Sequence, residues 1–375
     1  MSGPHVLVSG ALAGKAGHGG EAWVRLGWIA GAHRLGCDVT FVEVAEVSAE
    51  STAASYFDDV VEWSGLGGRA ALLAPDGRTV RGIPAGELEE IVAAADLLID
   101  VSGTLRGGPV IDRLRRAVRR RAYVDVDPGY TQLWAAEGLL GAHLAEYTLH
   151  LTVGDAVARC GLPQSGLTWR PIRPPIDLDQ WPTAAGRPGI LSTIASWRGA
   201  YGPLVIDGQP LGGKVHQFRR LRDLPRAVPQ RCEVALAIHP ADAADAAALR
   251  DGGWDVLDPG PLTRTPDAYR CFIQSAAGEL SVAQGMYVGT QCGWISDRTA
   301  AYLASGKPAV IQDTGFDAEL RTGGLLPFRT RQDAADACRE IDSDPVGYAT
   351  AARSLAERHF AADRVVARVL DLAGV

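Results

Sequence analysis

Of the 37 basic residues in this chain, only Lys15, Lys214 and Lys307 are lysines, and each directly follows a glycine. Glycine leaves the backbone open, so an ammonium group at such a place can reach an anion. Lys214 ends the turn Gly212-Gly213-Lys214. Sixteen residues before it stands Arg198, after the small-hydroxyl run Ser192-Thr193-Ile194-Ala195-Ser196. One guanidinium fork and one ammonium point charge suit a diphosphate, with Ser196 beside them. A second cluster is the loop Ser9–Gly20, with four glycines between Ala13 and Gly20. It offers Gly19 as an open backbone contact, and His18 and Glu21 as general bases. His18 qualifies by its ordinary pKa, and Glu21 only if desolvated.

The third cluster runs from Cys292 to Phe316. Ser296 or Asp297 reads as a helix cap, followed by Arg298 and Thr299 in the first turn. Gly306 ends that helix, Pro308 opens a strand, and Asp313-Thr314-Gly315-Phe316 is the loop after it. Open α/β sheets bind ligands at the carboxyl ends of their strands, so these residues describe an anion and sugar site. Asp125-Val126-Asp127 is the one pair of carboxylates at a strand end, and Pro128 follows at once. Strand alternation puts both on one face. Asp127 is read as a cleft residue meeting a substrate or the facing domain, and no metal is expected.

The elements that must position these groups alternate. His5–Gly10 is an apolar strand, Glu21–Leu35 is helical with Ala22, Leu26, Ile29 and Ala30 on one face, and Val39–Val44 is a β-branched strand. Further strands are expected at Leu97–Val101, Ala122–Val126 and Tyr147–Val153. Trp169–Ile176 then carries three prolines in eight residues, which excludes regular helix. A second series has strands at Ile190–Ala195, Val234–Ile238, Trp254–Leu257, Glu279–Ala283 and Pro308–Gln312. Its helices are expected at Ala241–Arg250, Asp297–Ala304, Arg331–Ile341, Gly347–His359 and Ala362–Leu372. The expectation is α/β: two Rossmann-like doubly wound domains facing a cleft. Their bounds are 1–165, a Pro-rich linker 166–188, and 189–350, followed by helices 351–375.

Length and composition agree. At 375 residues two domains are natural, and 47% apolar with 22% charged is ordinary for a folded soluble chain. Net charge is −7, with Arg113–Arg121 the one dense basic cluster, so nucleic acid is not an expected partner. No apolar run is long enough to span a membrane, and the N-terminus runs straight into a strand, so a cytoplasmic location is expected. Six scattered cysteines without a Cys-x-x-Cys pair argue against a zinc site or a disulfide framework.

The helix-Gly-x-Pro-strand-loop unit resembles the donor-site signature of GT-B glycosyltransferases. Closer still, the chain resembles bacterial GT-B-like proteins, many of them seen in secondary-metabolite pathways, including antibiotic biosynthesis. The phrases carrying the likeness are His18-Gly-Gly-Glu-Ala-Trp23, Arg34-Leu-Gly-Cys-Asp-Val39, Asp125-Val-Asp-Pro-Gly-Tyr-Thr-Gln132, Gly278-Glu-Leu-Ser-Val-Ala283, and Gly293-Trp-Ile-Ser-Asp-Arg298 through Asp313-Thr-Gly-Phe316. The resemblance implies transfer of a sugar from a nucleoside-diphospho-sugar, bound by the second domain, to a small-molecule acceptor on the first. The last helices would cross back to the first domain. Arg198 and Lys214 would meet the diphosphate, and Asp258–Gly260 the base. Asp297, Arg298, Asp313 and Thr314 would meet phosphate or sugar. Two departures stand out. The acid that many such enzymes carry five residues before the helix-ending glycine is Ala301 here. The plant-type His-Cys-Gly-Trp-Asn-Ser box is only echoed, as Gln291-Cys-Gly-Trp-Ile-Ser296.

Two other readings remain open at this stage. Gly10-x3-Gly14-x2-Gly17, with Glu43 ending the next strand, resembles a dinucleotide fingerprint and would make the chain an NAD-dependent oxidoreductase. Against it, no lysine has a tyrosine four residues before it. The other alternative is a non-catalytic regulator that binds a sugar nucleotide.

Overall fold

The computed structural model describes residues 3–375 except 200, 201, 203 and 207, and gives 142, 206, 209 and 210 by backbone alone. The first sheet has eight strands: β1 (His5–Ser9), β2 (Asp38–Val44), β3 (Ala70–Leu73), β4 (Thr79–Gly82), β5 (Leu97–Val101), β6 (Arg120–Asp125), β7 (Leu149–Thr152) and β8 (Trp169–Pro171). Their order is β4-β3-β2-β1-β5-β6-β7-β8, and only β3 and β4 pair antiparallel. β1 and β5 are apolar and buried along nearly their whole length because helices cover both sheet faces. The chain reverses direction across the sheet between β1 and β5, which opens a crevice at their carboxyl ends.

The second sheet begins with β9 (Arg187–Ser196). A hairpin of β10 (Leu204–Ile206) and β11 (Gln209–Leu211) follows. Then come β12 (Arg231–Ala237), β13 (Trp254–Leu257), β14 (Ala276–Ser281), β15 (Ala309–Gln312) and β16 (Leu325–Phe328). The six-stranded order β13-β12-β9-β14-β15-β16 is parallel throughout. It repeats the reversal of the first sheet, now between β9 and β14. Both sheets are therefore doubly wound, as the alternating pattern predicts.

Two features depart from the sequence reading. The proline-rich stretch 166–188 is not wholly a connector. Trp169–Pro171 forms β8, and Arg187 opens β9. β8 is an edge strand, where a proline lacking an N–H costs no ladder bond on the open side. The helices Thr52–Trp63 and Pro266–Ser275 were not anticipated, although each starts on a capping hydroxyl, Ser51 and Thr265.

The two halves are joined by an aromatic junction. Trp23 of the helix Gly19–Arg34 packs on Trp181 with ring centroids 4.8 Å apart, and Trp181 meets Tyr269 of the second half. The Trp23 indole N–H donates to the Pro266 carbonyl at 2.8 Å. The helix Pro345–His359 lies on Asp297–Ala304, whereas Ala362–Ala373 lies on Gly19–Arg34 of the first half. Ile176 and Phe360–Ala362 exchange backbone hydrogen bonds at this crossing.

Candidate active site

A cleft of about 300 Å³ lies between the carboxyl ends of the two sheets. Its first wall is the start of the helix Gly19–Arg34 and the end of β6. Its second wall comprises Lys214, Gln284, Tyr287 and the start of the helix Asp297–Ala304. Of the residues singled out by sequence, His18, Glu21, Asp127, Lys214, Ser296, Asp297 and Arg298 line it together.

His18 is the residue before the first helical turn and is exposed at the rim. Glu21, in that turn, pairs with Arg25 one turn later. Burial would raise the Glu21 carboxyl, but Arg25 and Lys15 outweigh it and hold the group below its usual range. Glu21 is thus an ionised acceptor and a weak base near neutrality, against the expectation that desolvation would fit it to be the base. Asp127 differs. Burial pushes its carboxyl up to about 6, although the Tyr287 hydroxyl donates to it at 2.9 Å. A carboxyl at that value changes protonation close to the pH at which a base must work.

Asp125, one residue before Val126, is not its partner in holding a cation. Its oxygens accept from Thr131 at 2.7 Å, Thr152 at 2.8 Å, Gln132 at 2.9 Å and the Asp127 N–H at 2.9 Å. With its acceptor capacity used in the core, Asp125 fixes the β6 turn that presents Asp127.

On the second wall Ser296 caps the helix, accepting from the Arg298 N–H at 3.2 Å. Arg298 is buried and its guanidinium is held at three points: Glu279 at 2.8 Å, the Ile194 carbonyl at 2.9 Å and Ser281 at 2.6 Å. The Lys214 ammonium, desolvated and repelled by Arg298, is pushed down to about 7. Lys214 therefore shares one end of the cleft with Asp297 and with Arg298, whose charge Glu279 balances. Burial raises the Asp297 carboxyl despite the neighbouring Arg298.

The remaining predicted residues go elsewhere. Arg198 does not join Lys214. It forms a two-point pair with Asp242 at 2.8 and 2.6 Å and is exposed on a separate groove with His239 and Asp258. Asp258 caps the short turn after β13 by accepting from the Gly260 N–H at 2.9 Å, so Gly260 serves the cap. Ser196 is exposed, and Thr299 is buried within its helix. Asp313 is buried under Arg321 and Arg329 at 2.7 and 2.9 Å and accepts from the Gly315 N–H, so it faces away from the cleft. Thr314 donates to the Trp294 carbonyl at 2.6 Å. Gly315 sits at φ 86°, where a Cβ would lie 2.5 Å from the Gln291 carbonyl oxygen. This loop thus braces the turn that carries Trp294 and is not part of the main cleft lining. Gly19 is likewise a packing residue, since a Cβ there would lie 2.1 Å from the Thr265 carbonyl oxygen of the other domain.

The dinucleotide reading fails on Glu43. Its carboxylate accepts from the backbone N–H groups of Leu12, Ala13 and Gly14 at 2.9, 2.8 and 2.8 Å. The amides that would cradle a pyrophosphate are consumed, and so is the acid that would hold a ribose. Sequence reasoning missed Glu279, Arg25, Tyr287 and Trp294. Arg25 was visible as the partner of Glu21 four residues on. Nothing local marks Tyr287, whose partner stands 160 residues earlier.

No family model matches the chain, and no curated protein sequence matches it. Solved structures do. An α-glucosyltransferase in complex with UDP and DNA superposes with a TM-score of 0.63 at 13% identity, covering 100% of both chains. The HepE protein of Anabaena, in complex with UDP and glucose, gives 0.58 at 14%, covering 98% of this chain and 99% of its own. A glycosyltransferase involved in avilamycin A biosynthesis gives 0.56 at 15%, covering 99% and 97%. Among the described residues no helix is long and apolar enough to cross a membrane. With two doubly wound domains closing on one cleft, and with end-to-end likeness to these structures, the chain has the GT-B fold.

Proposed function

We propose that this protein transfers a glycosyl group from a nucleoside-diphospho-sugar to a small-molecule acceptor inside the interdomain cleft. One observation carries the reading: Lys214 and Arg298 of one domain and Asp127 of the other face the same cavity. The diphosphate lies against Lys214 and Arg298. The nucleoside extends toward the groove of Arg198, His239 and Asp258. Glu21 and Asp297 accept hydrogen bonds from sugar or acceptor hydroxyls, and Asp127 takes the acceptor proton. His18 stands at the entrance. Lys214, beside the Glu279-paired Arg298, supplies positive charge to the leaving diphosphate, and on this reading the step needs no divalent cation. The UDP bound in the similar structures favours a uridine donor as the first to try.

The test is thermal unfolding with UDP, dTDP, GDP and NADH, followed by nucleotide release from the matching sugar donors with and without EDTA. A nucleoside diphosphate at 100 times its Kd adds roughly 2.7 kcal/mol to stability. Stabilisation by NADH alone overturns the reading. Stabilisation by a sugar nucleotide without any turnover leaves a binding regulator instead. Loss of turnover in EDTA removes the metal-independent step.

A further inference from the structure

The proposed reaction leaves the acceptor open, and the first-domain side of the cleft narrows it. The first-domain wall that carries Asp127 is largely apolar, with Val24, Trp28, Val126, Val153 and Ile176 lining the same cleft. Glu21, the other carboxylate there, pairs with Arg25 and keeps one side open to the cleft. A hydroxyl placed against the apolar part of this wall finds no partner there, at a cost of about 1–3 kcal/mol, so a ring fits it better than an extended polyol. Opposite the wall stands Trp294. Its ring stacks on Tyr287 with centroids 4.3 Å apart and planes 22° from parallel. The Tyr287 hydroxyl is the group that donates to Asp127. Trp294 is half-buried, lines the cleft, and is fixed from behind by Thr314. An aromatic platform and a proton acceptor are thus joined through one tyrosine.

We propose that the acceptor is a small aromatic alcohol or phenol whose ring lies along Trp294 and whose hydroxyl points at Asp127. The step rests on the glycosyl-transfer reading. The acceptor oxygen forms the new bond to the anomeric carbon, and its proton passes to Asp127. The bond from that carbon to the diphosphate breaks, and the diphosphate leaves with the electron pair. A nucleobase in DNA also offers an aromatic face. The cavity holds only about 300 Å³, however, and the chain is net −7, which favours a small free acceptor over a base flanked by phosphates.

The test separates acceptor from donor. The fluorescent phenol 4-methylumbelliferone is titrated into the full chain, with and without UDP, beside glucose and an oligonucleotide duplex. The wild type binds the phenol and neither of the others. Trp294→Ala weakens it roughly tenfold, and Trp294→Phe keeps it within about threefold, as expected for an aromatic contact. Binding of glucose or the duplex but not of the phenol overturns the proposal, as does equal phenol affinity in wild type and Trp294→Ala. Should the alanine variant not fold, the wild-type panel and the phenylalanine variant decide. Failure of UDP to bind while the phenol binds through Trp294 removes the donor reading alone.

Discussion

The Tyr287 hydroxyl reaches across the domain junction and donates to the Asp127 carboxylate at 2.9 Å. One contact therefore ties the closed arrangement of the domains to the protonation of the proposed base. Burial raises the Asp127 carboxyl, and the hydrogen bond from Tyr287 partly offsets that rise.

The base can be tested by pH. Asp127 is competent when ionised, so wild-type turnover should rise with pH through about 6 and then level. Asp127→Asn should lose ~10²–10⁴-fold and abolish that limb. Tyr287→Phe removes the bond that favours the ionised form, so the limb should move to higher pH. His18→Ala should keep more than about a tenth of the rate, because an exposed rim group is not the one taking the proton. The reverse ranking of Asp127 and His18 in rate profiles would reassign the base.

Donor affinity should depend on Lys214 and Arg298 and little on Arg198. Removing either buried cation should weaken nucleoside-diphosphate binding by ~1.5–3 kcal/mol, the range for charged hydrogen bonds. Arg198→Ala releases an exposed pair and should leave that affinity nearly unchanged. Lys214 is held down to about 7 in the free protein, and a bound diphosphate draws the proton back. Affinity should therefore fall as pH rises above about 7, with proton uptake on binding. Calorimetry in buffers of different ionisation heat measures that uptake, and its absence would place the diphosphate elsewhere.

Glu43 should behave as a structural acid. Glu43→Ala strands three backbone amides that now share one carboxylate, two of them buried, and should lower unfolding free energy by at least about 2 kcal/mol. Faster amide exchange confined to the loop before the first helix should accompany it. Denaturant titration and exchange together check this, and a gain of NADH binding in the variant would revive the dinucleotide reading.

Gly19 should govern how closely the domains approach. A methyl group there would sit 2.1 Å from the Thr265 carbonyl oxygen, which is backbone and cannot swing away. Gly19→Ala should cost about 1–3 kcal/mol, the usual penalty of overpacking. It should also open the cleft, visible as a larger radius of gyration in solution scattering. An unchanged radius and midpoint would show the junction to be compliant.

Much of the architecture was legible in the chain itself. Apolar runs of strand length, separated by helices with caps and glycine stops, are local signals, and they predict two doubly wound sheets because period and punctuation act within a few residues. Local signals likewise marked His18, Lys214 and the Ser296–Arg298 cap as chemistry-bearing. They did not decide where each arginine goes. Arg198 is claimed by Asp242, 44 residues on, in a separate groove, whereas Arg298 is held at the cleft by Glu279 from a neighbouring strand. Nor did they decide that Glu43 would saturate the glycine loop, that Asp313 would turn inward to two arginines, or that Asp127 would be tuned from 160 residues away. A strand or helix is chosen by neighbours in the chain. The destination of a charged side chain, and its protonation, are chosen by whichever distant partner the packing brings within hydrogen-bond reach.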